Sequence, residues 1–262
     1  MLIHRVLSSV VLLPLVLGAA YLGGPYFAVV VAVAALLAGY EFYRMMRIGG
    51  YEPSYGIGLA LIGALLLEAW YPGHEIWRLG AAGAAILLLV RQLFRGNTAG
   101  FLANWALTLA GAVYVGLLAG HMISLRNLPQ GLGWLLLTFA ATWTCDTAAY
   151  CAGKWWGKRG FFTEISPSKT LEGAIGGALL GMLASVLAGQ WLRLALWQSV
   201  LLAVLLVLAI TFGDLAESLL KRQVGVKDSG ALIPGHGGML DRIDSLLFAG
   251  TVVYHFVVWV VR

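Results

Sequence analysis

The sequence is poor in charged residues, which make up 11% of its 262 residues. A soluble globular domain carries about 25% charged residues. Hydrophobic residues make up 60% of the chain, and a water-soluble protein of this size would have to bury nearly all of its segments while still exposing much surface. The shortage of charge therefore excludes an ordinary soluble domain and is typical of a polytopic membrane protein.

Cysteine is also scarce, and basic stripes and repeats are absent. The two cysteines, Cys145 and Cys151, are six residues apart, which is not the spacing of a metal or redox site, and we expect no disulfide. The net charge of +5 comes without a basic stripe interleaved with aromatic residues, so we predict no nucleic-acid partner. No internal repeat or low-complexity linker divides the chain.

Long apolar runs fill most of the sequence. A helix needs about 20 mainly apolar residues to cross the hydrocarbon core, so the runs predict an all-α helix bundle with about nine membrane-spanning helices. Further spans follow the first run directly, so it does not read as a cleaved signal peptide. The predicted spans cover roughly residues 6–22, 26–40, 56–71, 77–94, 102–122, 132–152, 171–190, 195–213 and 245–261.

The positive charges predict the orientation of these helices. With the N-terminus in the cytoplasm, 13 of the 17 lysines and arginines lie on the cytoplasmic side, as the positive-inside rule requires. Two long polar interruptions, residues 153–170 and 214–244, then face the cytoplasm as well. We therefore expect any chemistry to take place at the cytoplasmic face.

Aspartate is absent from the first 145 residues, and four of the five aspartates lie between residues 214 and 244. Asp214 and Glu217 are three residues apart, as are Asp241 and Asp244, so each pair shares a helix face. Facing carboxylates repel one another unless cations lie between them, and Mg²⁺ often binds one or two carboxylates together with substrate phosphates. The spacing predicts a metal site formed by these four residues. The alternative is a salt-bridge network with the neighbouring lysines and arginines.

Two further acidic residues lie within apolar runs. Asp146 is a candidate functional residue because an ionisable group inside a membrane is costly. The alternative is a structural hydrogen bond from a neighbouring threonine, Thr142, Thr144 or Thr147. Glu68 lies near the outer end of its predicted span, and there we expect a structural role.

Two polar segments are suited to binding phosphate. The glycines of "PGHGG", residues 234–238, can turn backbone N–H groups toward an anion and allow close approach, and His236 can donate a hydrogen bond. In "SPSKT", residues 166–170, Ser168 or Thr170 would cap the following helix, and Lys169 beside the free N–H groups would complete an anion site. The nearby cations Lys154, Lys158 and Arg159 are interpreted as topological anchors.

From Ser218 onward the sequence resembles the signature of the phosphatidate cytidylyltransferases, also called CDP-diacylglycerol synthases. "GDLAES", "SPSKTLEGAIGG" and "DTAAYCAGKWWGK" also look like this family, so the resemblance covers about residues 142–248. The signature residues are matched without departure by Ser218, Lys221, Arg222, Lys227, Asp228, Gly230, Pro234, His236, Gly237, Gly238, Asp241, Arg242 and Asp244.

The resemblance implies transfer of CMP from CTP to phosphatidate, giving CDP-diacylglycerol and pyrophosphate, with one or two Mg²⁺ ions. It also implies a homodimer in the bacterial inner membrane, with a multi-span region at 1–130 and a catalytic region at 131–262. The implied catalytic residues are Asp214, Lys221, Arg222, Lys227, Asp228, His236, Asp241, Arg242 and Asp244. The implied substrate-binding residues are Asp146, Ser166, Ser168, Lys169, Thr170, Gly235, Gly237 and Gly238.

Three other functions compete with this interpretation. A CTP-dependent kinase of a polyprenol or another lipid alcohol would share the nucleotide and the membrane but transfer the γ-phosphoryl group. A CDP-alcohol phosphotransferase is disfavoured because its Asp-x-x-Asp-Gly-x-x-Ala-Arg motif is absent. An ion- or proton-coupled transporter would use Asp146, but the densest charge does not lie along a midplane pathway.

Overall fold

Helices dominate the computed structural model, which describes residues 2–95, 100–232 and 237–261. The predicted all-α class is confirmed for these residues. A π-helical segment, Ala112–Leu117, joins the helices Phe101–Gly111 and Leu118–Arg126, and another, Val257–Val261, extends the helix Leu240–Phe256. The α-helices are α1 (Leu2–Leu22), α2 (Gly24–Ile48), α3 (Tyr55–Trp70), α4 (Ile76–Arg95), α5 (Phe101–Gly111), α6 (Leu118–Arg126), α7 (Gly131–Trp156), α8 (Leu171–Trp191), α9 (Leu196–Gln223) and α10 (Leu240–Phe256).

Six helical segments of the described chain are long and apolar enough to cross a membrane, so the predicted count of about nine is not confirmed. Each predicted span is nevertheless helical. The short helix α3 has 16 residues and rises roughly 24 Å, less than the core thickness of about 30 Å. In α7, threonines, tryptophans and Asp146 lower the mean hydropathy. The six segments are Gly24–Ile48, Ile76–Phe94, Phe101–Arg126, Leu171–Trp191, Leu196–Gln223 and Leu240–Val261.

The chain divides into two compact units. The first unit comprises Met1–Asn127 and Gln223–Arg242, and the second comprises Leu128–Arg222 and Ile243–Arg262. The functional division at residue 130, into a multi-span and a catalytic region, stays a prediction.

In the first unit, polar side chains close the turns and fix the helix ends. Glu68 accepts hydrogen bonds from the backbone N–H groups of Gly73 (2.9 Å) and Ile76 (2.7 Å). It thereby joins the end of α3 to the start of α4, which confirms its expected structural role. The buried Tyr43 hydroxyl donates to the carbonyl of Thr108 at 2.7 Å, which ties α2 to α5.

In the second unit, a stripe of small residues brings α8 close to α7. Residues four apart lie on one face of a helix, and small residues there let two backbones approach closely. A Cβ added to Gly177 would lie 2.8 Å from the carbonyl oxygen of Cys145, and one added to Gly173 would lie 2.8 Å from that of Ala149. The buried stripe consists of Gly173, Gly177, Gly181, Ser185 and Gly189.

We expect Gly177→Val to destabilise the second unit. The added side chain would overlap the Cys145 carbonyl and the Cβ of Ala149, at 2.8 and 2.9 Å from the new Cβ. Overpacking of this kind costs about 1–3 kcal/mol, which lowers Tm by roughly 2–4 °C per kcal/mol in a chain of this size. The control is Gly63→Val in α3, where an added Cβ meets nothing within 4 Å. Equal losses of Tm in the two purified variants would contradict the packing explanation.

Candidate active site

The loop between α7 and α8 folds back on itself just before Lys169. Gly160 and Thr170 form an antiparallel bridge, and the N–H of Phe161 donates to the carbonyl of Lys169 at 2.9 Å. The loop begins at Gly157 rather than at residue 153 because α7 continues to Trp156. These backbone contacts hold Lys169 directly in front of the N-terminus of α8.

The N-terminus of α8 is capped by Thr170 and is tied to the preceding loop by Glu172. Thr170 Oγ1 accepts a hydrogen bond from the N–H of Gly173 at 3.1 Å, which confirms Thr170 as the capping residue. The Glu172 carboxylate in the first turn accepts from the N–H groups of Lys158 (3.0 Å) and Arg159 (3.2 Å). The side chain of Ser168, the other candidate for this cap, is exposed.

A cavity of about 380 Å³ lies at this end of the second unit, walled by α7, the loop, α8 and α9. Four predicted substrate-binding residues line it together with a predicted metal ligand, and these are Asp146, Ser168, Lys169, Thr170 and Asp214. The lining thus contains acidic, basic and hydroxyl groups in one place. Ser166, also predicted to bind substrate, is buried, and its carbonyl accepts from the N–H of Lys169 at 3.1 Å.

Two carboxylates of α9 form ion pairs with lysines. Lys169 Nζ lies 2.7 Å from Asp214 Oδ2. One turn further, Lys221 Nζ lies 2.5 Å from Oε2 of Glu217, whose side chain is only 1% exposed. Both carboxylates lie on α9, which continues to Gln223 and so includes the first part of the predicted polar interruption. The two pairs are contacts of the kind that the salt-bridge alternative predicts, and the assignment of these carboxylates to a metal stays a prediction.

A third carboxylate in this region comes from α10. Asp244 is buried, and its Oδ1 accepts from the N–H of Ser245 at 2.7 Å. The carboxylates of Asp214 and Asp146 lie near enough to repel the Asp244 carboxylate, and the Lys221 ammonium group lies near enough to attract it. Carboxylates from α7, α9 and α10 therefore share one region of the second unit.

This donor set has the chemistry that Mg²⁺ requires. Asp146, Asp214 and Asp244 lie in the same region as Lys169 and Lys221. Mg²⁺ prefers oxygen ligands and is often held by one or two carboxylates plus substrate phosphates. Among the described residues, no three His, Cys, Asp or Glu side chains are placed to hold a metal by themselves. The three aspartates supply oxygen ligands, and a Mg²⁺ ion at this position stays a prediction.

Asp146 does not accept a hydrogen bond from Thr142, which was one of the structural alternatives offered by the sequence. The hydroxyl of Thr142 donates instead to the carbonyl of Thr138 at 2.9 Å. Asp146 lines the cavity and interacts electrostatically with Asp214 and Lys169. Its place in the structure therefore agrees with a role in the site.

The glycine-rich part of the signature belongs to the first unit. The Oδ2 atom of Asp241 accepts hydrogen bonds from the N–H of Ser229 (3.0 Å), the hydroxyl of Ser229 (2.9 Å) and the N–H of Gly238 (2.8 Å). Gly237 has φ 82°, a left-handed conformation that favours glycine. Gly235 and His236, both predicted site residues, lie outside the described residues.

The remaining predicted residues lie at the end of α9 and after it. Arg222 Nε donates to the carbonyl of Ile165 at 3.0 Å, which ties α9 to the loop before α8. Lys227 and Asp228 are exposed in the turn that follows α9, and Arg242 is exposed in the first turn of α10. The side chain of Arg222 is exposed as well.

Two residues that the sequence analysis did not assign to a site contribute to these regions. Lys154, interpreted as an anchor, lines the cavity, with its Nζ 5.8 Å from the ring centroid of Tyr150. Glu41 of α2 is fully buried and contacts the signature segment. The available signal for Glu41 was a single acidic residue within the largely apolar stretch "LLAGYEFY".

Comparison with known proteins extends the resemblance to the whole chain. The sequence profile of the cytidylyltransferase family matches residues 3–260. The chain belongs to the cytidylyltransferase family. It is 34% identical to a phosphatidate cytidylyltransferase of Synechocystis sp., over 97% of this chain and 96% of that protein. Similar proteins of the same name come from Bacillus subtilis (36%, covering 95% and 93%) and Pseudomonas aeruginosa (33%, covering 99% and 97%).

Membership of the cytidylyltransferase family confirms the resemblance noted for residues 142–248. The match also includes the first half of the chain, which the sequence motifs left as an unspecified multi-span region. Together with the apolar helices, the bacterial relatives indicate an integral membrane protein.

Proposed function

We propose that this protein is a CTP:phosphatidate cytidylyltransferase, which transfers CMP from CTP to phosphatidate and releases CDP-diacylglycerol and pyrophosphate. The names of relatives that align over nearly the whole chain support the reaction. The observation that carries the proposal is the polar cavity in which Lys169 and Asp214 meet beside the capped N-terminus of α8.

The reaction does not require a strong general base. An oxygen of the lipid phosphate, already ionised near neutral pH, attacks the α-phosphorus of CTP. A new P–O bond forms, the bond from the α-phosphorus to the bridging oxygen breaks, and pyrophosphate leaves with that electron pair. Catalysis then depends on positioning the two phosphates and neutralising their charge.

The second unit contains groups suited to both tasks. Lys169 and Lys154 face the cavity and would neutralise phosphate oxygens. The hydroxyl of Ser168 and the N–H groups at the start of α8 would orient them. Similar phosphate-binding roles are proposed for Lys221, Arg222, Lys227, Arg242, His236 and the glycines Gly235, Gly237 and Gly238.

Asp214 and Asp244 are the residues we propose to hold Mg²⁺, and Asp241 is a further proposed ligand. When bound, the ion would supply positive charge to the phosphate oxygens. Asp214 would help to hold the ion, and Lys169 beside it would neutralise a phosphate. Glu217 remains a predicted ligand, although its carboxylate is paired with Lys221.

The membrane arrangement completes the proposal. The excess of lysine and arginine at one set of helix ends supports a cytoplasmic N-terminus and a site on the cytoplasmic face of the inner membrane. Water-soluble CTP and a lipid phosphate would meet there. About nine crossings and a homodimer also remain part of the proposal.

The test is an assay of purified protein with phosphatidate, Mg²⁺ and CTP labelled at either the α- or the γ-phosphate. Appearance of α-label in the lipid and of γ-label in pyrophosphate is expected. Transfer of γ-label to a lipid alcohol would instead support a kinase. Ion flux without CTP turnover would support a transporter.

A further inference from the structure

A buried carboxylate of α2 lies against the signature segment of the first unit. Glu41 has 0% exposure, and it is 188 residues from Ser229 in the sequence. Its Oε2 atom accepts hydrogen bonds from the N–H of Leu240 at 2.9 Å and from the hydroxyl of Ser229 at 3.2 Å. One side chain of the N-terminal half thus contacts two points of the signature segment.

The contact with Leu240 fixes the start of α10. Leu240 is the first residue of that helix, and the first N–H groups of a helix have no partner within the helix. A carboxylate is a favourable partner there because the helix N-terminus carries partial positive charge. Glu41 therefore caps α10 from a different helix.

The contact with Ser229 also links Glu41 to Asp241. The Ser229 hydroxyl lies 3.2 Å from Oε2 of Glu41 and 2.9 Å from Oδ2 of Asp241. A serine hydroxyl has one hydrogen to donate, so the two carboxylates share a single donor. The position of the Asp241 carboxylate is thereby linked to that of Glu41.

Glycines let the signature segment pack directly on Glu41. A Cβ added to Gly230 would overlap the Glu41 carboxylate, and one added to Gly238 would lie 2.5 Å from Glu41 Oε2. Within the described residues, the other carboxylate oxygen, Oε1, has no hydrogen-bond partner. A buried carboxylate with an unsatisfied oxygen is costly, and an apolar side chain would fill the position at lower cost if packing were its only purpose.

We propose that Glu41 is a positioning residue, which fixes the first turn of α10 and, through Ser229, the carboxylate of Asp241. The inference rests on the proposed function, because Asp241 is one of the proposed magnesium ligands. This role requires no contact between Glu41 and substrate or metal. Its contribution is to hold the glycine-rich segment in the conformation in which Asp241 is oriented.

The test compares three full-length variants in detergent, Glu41→Ala, Glu41→Gln and the control Glu68→Ala. Glu68 also accepts two backbone N–H groups, but at the turn between α3 and α4. Hydrogen–deuterium exchange is measured at the amides of Ser229, Gly238 and Leu240. Glu41→Ala is expected to raise their exchange rates by about tenfold or more, whereas Glu68→Ala leaves them unchanged.

Activity gives the second measurement. Loss of an outer positioning contact lowers activity by about 10- to 100-fold, and for Glu41→Ala we expect this loss mainly in kcat. Glu41→Gln retains an acceptor oxygen and is expected to restore both the exchange rates and most of the activity. A Glu41→Gln variant with normal exchange but no activity would overturn the positioning role, because the charge itself would then be required.

Two outcomes of the exchange experiment would also overturn the proposal. One is unchanged exchange at Ser229, Gly238 and Leu240 in Glu41→Ala. The other is an equal rise over all helices, which would mean general destabilisation. If wild-type protein does not turn over CTP, the proposed function fails, and the exchange rates still decide whether Glu41 holds this segment.

Discussion

Asp214→Asn is expected to lower kcat by about 10³-fold, the upper end of the loss that follows removal of one preorganised electrostatic group. The substitution keeps the shape of the side chain and removes its charge. Asp214 lies in the cavity, 2.7 Å from Lys169, and we propose it as a ligand of Mg²⁺. The initial rate is measured with saturating CTP and phosphatidate over a range of Mg²⁺ concentrations.

The Mg²⁺ dependence separates a metal ligand from a structural partner of Lys169. If Asp214 binds the ion, the variant requires more Mg²⁺ for half-maximal rate. Normal turnover at limiting Mg²⁺ would rule out this assignment. Glu164→Gln, an exposed charge in the loop before α8, is the matched control and should behave as wild type.

Lys169→Ala is expected to lower kcat/KM by about 10²-fold and to raise the apparent KM for CTP or phosphatidate. The variant removes the cation held at the N-terminus of α8 by the bridge between Gly160 and Thr170. It also leaves the carboxylate of Asp214 without this partner. Initial rates at varied CTP and at varied phosphatidate show which substrate the lysine binds.

The control for Lys169 comes from the same loop. Lys158→Ala removes an exposed cation whose backbone, rather than its side chain, contacts Glu172, and it should leave KM unchanged. Equal effects of the two variants would reduce Lys169 to a topological anchor. A double-mutant cycle of Lys169→Ala with Asp214→Asn measures their coupling, which for contacting residues is about 0.5–3 kcal/mol.

Contacts between residues close in the sequence could be predicted from residue type and spacing. Glu217 and Lys221 are four residues apart, and in the structure they pair on one face of α9, which is the contact that the salt-bridge alternative predicts. Thr170 precedes an apolar run with an acidic first turn, and it caps α8. Both contacts are local, and helix geometry places residues three or four apart on the same face, whatever the rest of the fold does.

Apolar runs predicted the helices but not which of them are long and apolar enough to cross a membrane. Each predicted segment is helical, but α3 is short and α7 carries threonines and Asp146. A run of apolar residues reports burial, either in lipid or against other helices. Length and hydropathy together then admit six segments of the described chain rather than nine.

The sequence by itself determined the helical class, the polar segments and the family signature, because these depend on composition and on local spacing. The tertiary structure alone decided which distant groups meet. It paired Lys169 with Asp214, and it placed Glu41 against Ser229 and Leu240. The physical reason is that such contacts follow from helix packing: the glycine stripe of α8 sets how closely α7 approaches, and the glycines of the signature segment leave room for a buried carboxylate from α2. The separation in sequence between Lys169 and Asp214, or between Glu41 and Ser229, does not predict that these residues meet.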